Sequence, residues 1–363
     1  MGSSRRLVAA AAAVRAYSLG VPIRVPRTGT LTRRSFIAGT ALGSLTVFAR
    51  SIRAADFTFR QFHNQPEASS LHRRLVEMWT AVRTETNGRV DVQVFPENNR
   101  TPGSDPAVLK MLTSGEVQFF TVMGGILGTV VPAAEAQQMP FWFRSSAQAH
   151  RAMDGWLGSY LAEEMAAKGI YSFPVGAFDN GMRQIAGTKR PIARPEDLVG
   201  IRMRVPAGAL LADTFKALGA EAVTVNSDGI YDALKTGRVD AQENPLALVE
   251  LFKLDQVVKY VSMTNHMWSG FNLIAHLPTW KRLPREVVTI IARNATKHVR
   301  LQRRDQEQMN VAARVTLAGR GLTFNDVDAE PFRAKLSGLY EEWKARLGSR
   351  CWSILEASVK RKA

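Results

Sequence analysis

The sequence predicts an α/β protein built as two domains. Two observations carry this. Short stretches with apolar residues at every second position alternate along the chain with longer stretches whose apolar residues recur every three or four positions. Alternation of that kind packs helices onto the faces of a sheet. The second observation is length. A chain of 363 residues exceeds the ~250–300 residues at which a single hydrophobic core stops growing. The composition, 45% hydrophobic and 22% charged, is that of a globular chain. Beyond the N-terminal region no run approaches the ~20 apolar residues of a spanning helix, so the mature chain is expected not to span a membrane.

In chain order, Phe57 to His63 reads as the first strand. Glu67 to Thr86 carries Leu71, Leu75, Met78, Trp79 and Val82 at helical spacing, and Asn87-Gly88 ends it. Val90, Val92 and Val94 alternate with polar residues, the pattern of a half-buried strand. A short helix follows over Pro106 to Thr113, then a buried strand over Val117 to Val122. The turn Gly124-Gly125-Ile126-Leu127-Gly128 has backbone N–H groups that could cradle an anion, or it is a tight connection beside a cleft. The Rossmann and Walker spacings are absent, so no nucleotide or other cofactor is called.

Helices cover 145–168. Ile170 to Phe178 and Met182 to Gly187 read as separate strands. Ile201 to Val205 and Ala222 to Val225 are strands, with helices over Ala207 to Leu218 and Ser227 to Lys235. Tyr260 to Met263 and Phe271 to His276 read as two more strands. Pro284 to Leu317 makes one long helix and Asp328 to Arg346 another. The alternation suggests largely parallel pairing.

The formal net charge of +16 raises the possibility of a nucleic-acid partner. Its distribution removes that reading. Met1 to Ala55 holds nine arginines and no acid, leaving 39 basic against 32 acidic residues in the rest. No basic run interleaved with aromatics follows a nucleic-acid backbone. Thr32-Arg33-Arg34-Ser35-Phe36-Ile37 fits the twin-arginine export pattern. The moderately apolar run Ile37 to Ala49 has the length of a signal h-region. Residues 1–55 are therefore expected to be a twin-arginine signal with an N-terminal extension, cleaved near Ala55 or Asp56, and the mature protein to be periplasmic. The single cysteine, Cys351, excludes an internal disulfide and reads as a packed thiol in a terminal helix.

Arg202 and Arg204 lie on one strand and share a face. A guanidinium on a buried strand needs a partner. That partner is either an internal acid or a ligand carboxylate, which the planar fork matches with two parallel hydrogen bonds. Two further polar clusters sit at strand ends, Phe178 to Gln184 and Tyr231 to Pro245.

The stretch from Leu198 to His266 resembles the solute receptors of the tripartite ATP-independent periplasmic (TRAP) transporters, the DctP-like family. The matching pieces are Asp197 to Pro206, Ala217-Leu218-Gly219-Ala220, Tyr231 to Gly237, Val239-Asp240-Ala241-Gln242-Glu243-Asn244-Pro245 and Thr264-Asn265-His266. Weaker likeness includes Asn87 to Val90 and Asn180-Gly181-Met182-Arg183-Gln184. The resemblance implies a periplasmic-binding-protein (type II-like) fold. That is a two-lobe clamshell with lobe I over 56–178 plus part of 265–363, lobe II over 179–264, and a long bracing helix.

It also implies a small organic-acid ligand bound by lobe closure and delivered to the small and large membrane subunits of a permease. Arg204 would clamp the carboxylate, with Asn244 and Arg183 as further contacts and Glu243 orienting a donor. Phe62 and His63, Phe178 and Trp268 are the remaining pocket candidates, Trp268 foremost among the aromatics. An aromatic lining would favour an aryl or branched 2-hydroxy or 2-oxo acid over a slim dicarboxylate. Asp228, Lys235, Ala241 and the loop Phe95 to Gly103 depart from the family's usual residues, which bears on the ligand rather than on the fold. The competing classes are an exported enzyme and a receptor of another transport or signalling system. The six histidines show no zinc-binding spacing and no Gly-x-Ser-x-Gly elbow occurs, which weighs against the enzyme.

Overall fold

The computed structural model describes residues 55–360. The expected export signal lies outside the described residues. The strands are β1 (Phe57–His63), β2 (Val90–Phe95), β3 (Phe119–Met123), β4 (Ile170–Gly187), β5 (Arg202–Val205), β6 (Glu221–Thr224), β7 (Ala241–Asn244), β8 (Tyr260–His276) and β9 (Thr323–Asp326). They form one sheet in the order β2-β1-β3-β8-β4-β7-β5-β6, with β9 added to β8.

The pairing is mixed, not largely parallel. β1 pairs in parallel with β2 and β3, and β5 with β6 and β7. These two parallel groups stand at opposite ends of the sheet. The long strands β4 and β8 run antiparallel between them and join the two lobes. Each of these long strands was expected as two shorter ones. Gly and Asn residues at 180–181 and 265–270 mimic turns, and Gly181 and Asn265 do take positive φ, yet each strand continues through them. The irregularity appears instead as register shifts between Ser172 and Ala177, Asp179 and Gly181, and Arg183 and Ile185. Bulges of this type bend a strand and re-aim its side chains.

The helix Ser70–Glu85 begins at Ser69, whose hydroxyl accepts the His72 N–H at 3.1 Å. Its buried face is the predicted one: Leu71, Leu75, Met78, Trp79 and Val82. The long helix is Arg285–Gly319, about 52 Å at 1.5 Å per residue. It touches both lobes and the crossing strand. Asp305 binds Arg73 and Arg74 of the first helix. Gln302 donates to the Asp179 carbonyl at 2.7 Å, and the Asn310 amide oxygen accepts the Ala247 N–H at 3.0 Å. Gly181, at φ 104°, lets this helix approach: a Cβ there would sit 2.4 Å from Asn310 Nδ2.

The C-terminal helical region is longer than predicted. It comprises Glu330–Lys335 and Ser337–Lys360, the latter interrupted at Gly348 with φ 79°. Cys351 is buried there, and burial pushes its thiol up to about 11. Trp142 belongs to the same packing, its indole N–H bonded to the Leu355 carbonyl at 3.1 Å and its ring against Trp352. Among the described residues no helix is long and apolar enough to cross a membrane.

Candidate functional site: a cleft around Arg204

The site lies where the two parallel groups of strands face each other. Its inner chamber is lined from one side by Asn64, Asp105, Met123 and Ile126, and from the other by Arg204, Asn226, Ser227, Asn244 and Phe252. The crossing strands supply Asn180, Arg183 and Phe271. An outer chamber of about 500 Å³ shares Asn64, Ser227 and Phe252 with it and opens past Glu97, Arg100, Asp228, Tyr231 and Lys253.

Arg202 and Arg204 divide the two readings between them. Arg202 makes a paired contact with Asp240, Nε to Oδ2 at 3.0 Å and Nη2 to Oδ1 at 2.6 Å, and this guanidinium holds the Asp240 carboxyl well below its usual range. Arg204 has no acidic partner within ion-pair distance among the described residues. It is 2% exposed and its Nε donates to the Val225 carbonyl at 2.7 Å, while its terminal nitrogens hydrogen-bond to no acceptor among the described residues. Burial brings this guanidinium down to about 9, with Glu243 opposing and Arg183 adding to the effect. A buried cation costs several kcal/mol unless something pairs with it. The arrangement has what a carboxylate ligand completes.

Arg183 also lines the chamber, but its donors are spent on the protein. Nε donates to Glu243 Oε2. Nη2 donates to Glu243 Oε1 at 2.7 Å, the Glu243 carbonyl at 2.6 Å and Asn244 Oδ1 at 3.1 Å, and Nη1 donates to Ser269 Oγ at 3.0 Å. Burial raises the Glu243 carboxyl, but Arg183 and His266 outweigh that and hold it below its ordinary value. Glu243 thus fixes Arg183 in the wall. Asn244 accepts from Arg183 and donates to Gln242 Oε1 at 2.6 Å, so its amide is oriented before any ligand arrives.

The four aromatic and histidine candidates do not line the cleft. Phe62 is buried against Phe95, ring centres 4.9 Å apart. His63 is buried with Nε2 3.0 Å from His72 Nδ1, and burial together with His72 lowers it to about 3, so it is neutral. The residue after it, Asn64, is the one that reaches the chamber. Phe178 is fully buried. The Trp268 indole N–H binds Asp179 Oδ1 at 2.8 Å and its ring packs on Phe143 and His150. Gly270 is the close neighbour that admits this ring, since a Cβ there would lie 2.0 Å from it. The wall is therefore mixed: amides, the Asp105 carboxylate and the Ser227 hydroxyl alternate with apolar Met123, Ile126, Pro206, Ile230 and Leu248, and its aromatics are Phe252 and Phe271.

The glycine turn at 124–128 is filled by the protein itself. Gln138 Oε1 accepts the Gly125 N–H, and a Cβ at Gly124 or Gly128 would collide with Gln137 or Glu135. Glu135 Oε1 then accepts the Ala209 N–H at 2.8 Å, at the start of the helix Ala209–Ala217 on the opposite lobe. Burial pushes Glu135 up to about 7, against the pull of the Ala209 and Leu210 amides.

Asn64, Asp105, Asn180, Asn226 and Ser227 were not singled out from sequence. Asp105 sits in the first turn of Ser104–Ser114, a helix read as starting two residues later, at Pro106. Asn64, Asn226 and Ser227 are short polar residues at element ends, where polar residues are mostly solvated, and Asn180 lies inside β4, within the polar cluster Phe178 to Gln184.

Known proteins agree with this architecture. An uncharacterized Sinorhizobium fredii protein, y4mM, is 30% identical over 88% of this chain, which spans only 59% of that relative's length. A TRAP periplasmic solute binding protein from Sulfitobacter sp. NAS-14.1, with bound β-D-galacturonate, is 25% identical with a TM-score of 0.79, covering 84% of this chain and 100% of that one. A second, from Polaromonas sp. JS666 and bound to D-erythronate, is 26% identical with a TM-score of 0.78, covering 85% and 99%. Both share the two-lobe fold. Residues 62–346 match the DctP profile, bacterial extracellular solute-binding protein family 7, and the chain belongs to that family.

Proposed function

We propose that this protein is a periplasmic receptor that captures a hydroxylated organic acid of the sugar-acid class and delivers it to a TRAP permease. The observation that carries the reading is Arg204: a buried guanidinium with an unpartnered fork, set in a cleft between two lobes. A carboxylate matches that fork with two charge-assisted hydrogen bonds. Asn64, Asn180, Asn226, Ser227 and Asp105 supply the acceptors and donors that hydroxyl groups need. The ligands of the two similar receptors, β-D-galacturonate and D-erythronate, are of the same chemical class.

Arg204 clamps the carboxylate, while Asn244 and Arg183 form the polar wall beside it. Closure of the lobes excludes water and strengthens the Arg204 pairing. The closed form, favoured by ligand, is what the membrane subunits read. Arg33-Arg34 directs the folded chain through the twin-arginine route.

A thermal-shift screen tests the binding step, because a ligand that binds only the native state raises its apparent stability. D-Galacturonate, D-glucuronate and D-erythronate are expected to raise Tm, and the methyl ester of a responding acid is expected not to. The reading fails if no sugar acid shifts Tm, or if the ester binds as well as the acid.

A further inference from the structure

The two chambers of the cleft differ greatly in size. The inner one, beside Arg204, encloses about 30 Å³ and the outer one about 500 Å³. At ~10–15 Å³ for each water position, the inner chamber has the room of roughly two or three waters. That is space for a carboxylate and the atom that bears it. The chamber cannot widen while the lobes stay in contact. Asn226 Nδ2 donates to the Gly103 carbonyl at 3.4 Å and the Ala209 N–H to Glu135 Oε1 at 2.8 Å, each bond running from one lobe to the other. A ligand held by Arg204 therefore keeps the rest of its body in the outer chamber, past Asn64, Ser227 and Phe252, which line both.

The outer chamber has the volume of a complete small-molecule site, about 300–1,000 Å³. On the same measure as above it has about 30–50 water positions, more than twice the non-hydrogen atoms of a six-carbon acid such as D-gluconate. A monosaccharide acid leaves much of it to water.

The walls select what fills the remainder. Glu97 and Asp228 are acceptors, and Arg100 and Lys253 are donors. All four are exposed, and none makes a side-chain hydrogen bond or ion pair among the described residues. Glu97 and Arg100 belong to one lobe, Asp228 and Lys253 to the other, so each lobe brings one charge of each sign. A hydroxyl both donates and accepts, and a neutral ring bearing several hydroxyls can use all four. A second anion or cation meets a like charge on either lobe. Tyr231, Phe252, Pro66, Pro102 and Leu251 add apolar surface for the C–H groups of such a ring.

Both lips of the chamber are in left-handed backbone. Glu97 to Arg100 have φ between 49° and 54°, and Lys253 has φ 55°. Non-glycine residues persist there only when their surroundings hold them, and such positions cluster at ligand clamps.

We propose that the outer chamber is a second sugar subsite. The receptor prefers a disaccharide acid, with the carboxylate on Arg204 and a neutral sugar unit between Arg100 and Lys253. The proposal rests on the reading of the cleft as a sugar-acid receptor.

Titration calorimetry on the mature protein tests it. D-Gluconate is compared with maltobionate and lactobionate, which carry a glucosyl or a galactosyl unit on the same acid, and D-glucuronate with its phenyl β-glycoside. At least one disaccharide acid is expected to bind at least ~10-fold more tightly than D-gluconate, the gain of one or two further hydrogen bonds. With Arg100→Asn and Lys253→Asn together, that ratio is expected to fall below about 3-fold, because asparagine tolerates the left-handed backbone but is too short to span the chamber. If a monosaccharide acid binds and no disaccharide acid binds more tightly than D-gluconate, the second subsite is overturned and the receptor reading stands. An unchanged ratio in the cooperatively folded double variant has the same consequence. So does a phenyl group that improves on D-glucuronate by as much as the second sugar improves on D-gluconate. Binding of none of these acids, nor of D-galacturonate or D-erythronate, overturns both. The wild-type comparison decides the matter even if the variant fails to fold.

Discussion

Replacing Arg204 by Met removes the proposed ligand clamp and a buried charge together, and the two effects have opposite signs. Burial brings the guanidinium down to about 9, well below its ordinary range. At about 1.4 kcal/mol per pH unit, holding it charged in the empty cleft costs at most about 5 kcal/mol. Part of this returns through the Nε bond to Val225, which the variant loses. Exchanging buried ions for apolar groups of similar volume stabilises by about 1–4 kcal/mol in comparable cases. The ligand-free variant is therefore expected to unfold at the wild-type temperature or a few degrees above it. Binding moves the other way. Two charge-assisted hydrogen bonds of about 1.5–3 kcal/mol each correspond to a loss of roughly 100- to 10,000-fold in Kd. Arg204→Lys keeps the charge without the fork and should fall between the two. Scanning calorimetry and titration calorimetry on the same preparations read both quantities. A variant that melts well below wild type while keeping its affinity would mean that Arg204 is a structural cation, and the reasoning would be refuted.

Two further outcomes follow from the same geometry. Trp268→Phe keeps the ring packing and deletes the indole bond to Asp179, so urea denaturation should show a loss of about 1–3 kcal/mol with ligand affinity within ~2-fold of wild type. A large affinity loss at unchanged stability would instead place Trp268 at the ligand. Glu135→Gln should alter the pH dependence of stability. The folded carboxyl titrates at about 7 rather than 4.5, so its contribution is fully present below pH 4.5 and is lost as pH rises through 7. The loss is at most about 3 kcal/mol. Denaturation at pH 5 and pH 8 should give a wild-type difference that exceeds the variant's by up to that amount, and equal differences would count against it.

Elements with strong periodicity were legible from sequence. The helix at 70–85, β2 and the long helix at 285–319 appear close to where their apolar spacing put them. The joins between elements were not. β4 and β8 were read as four strands because Asp179 to Gly181 and Asn265 to Gly270 have turn-like composition, and the long-range pairing on either side of these segments carries each strand through them. The aromatic residues near strand ends were weighed as pocket walls, whereas Trp268 and Phe178 face inward packing. β1 ends at His63, which is buried, and Asn64, the first residue beyond it, is the one that reaches the chamber.

By itself the sequence determined the α/β class and the family, because apolar periodicity and a contiguous motif are local properties. Tertiary structure decided which arginine stays unpaired. Arg202 and Arg204 have the same chemistry and share one strand face, and the positions of Asp240 and Val225 separate them. It also decided that Asp105 stands on the chamber of Arg204, almost one hundred residues away. Electrostatic pairing depends on distance and burial through space, and neither is written in the spacing of residues along the chain.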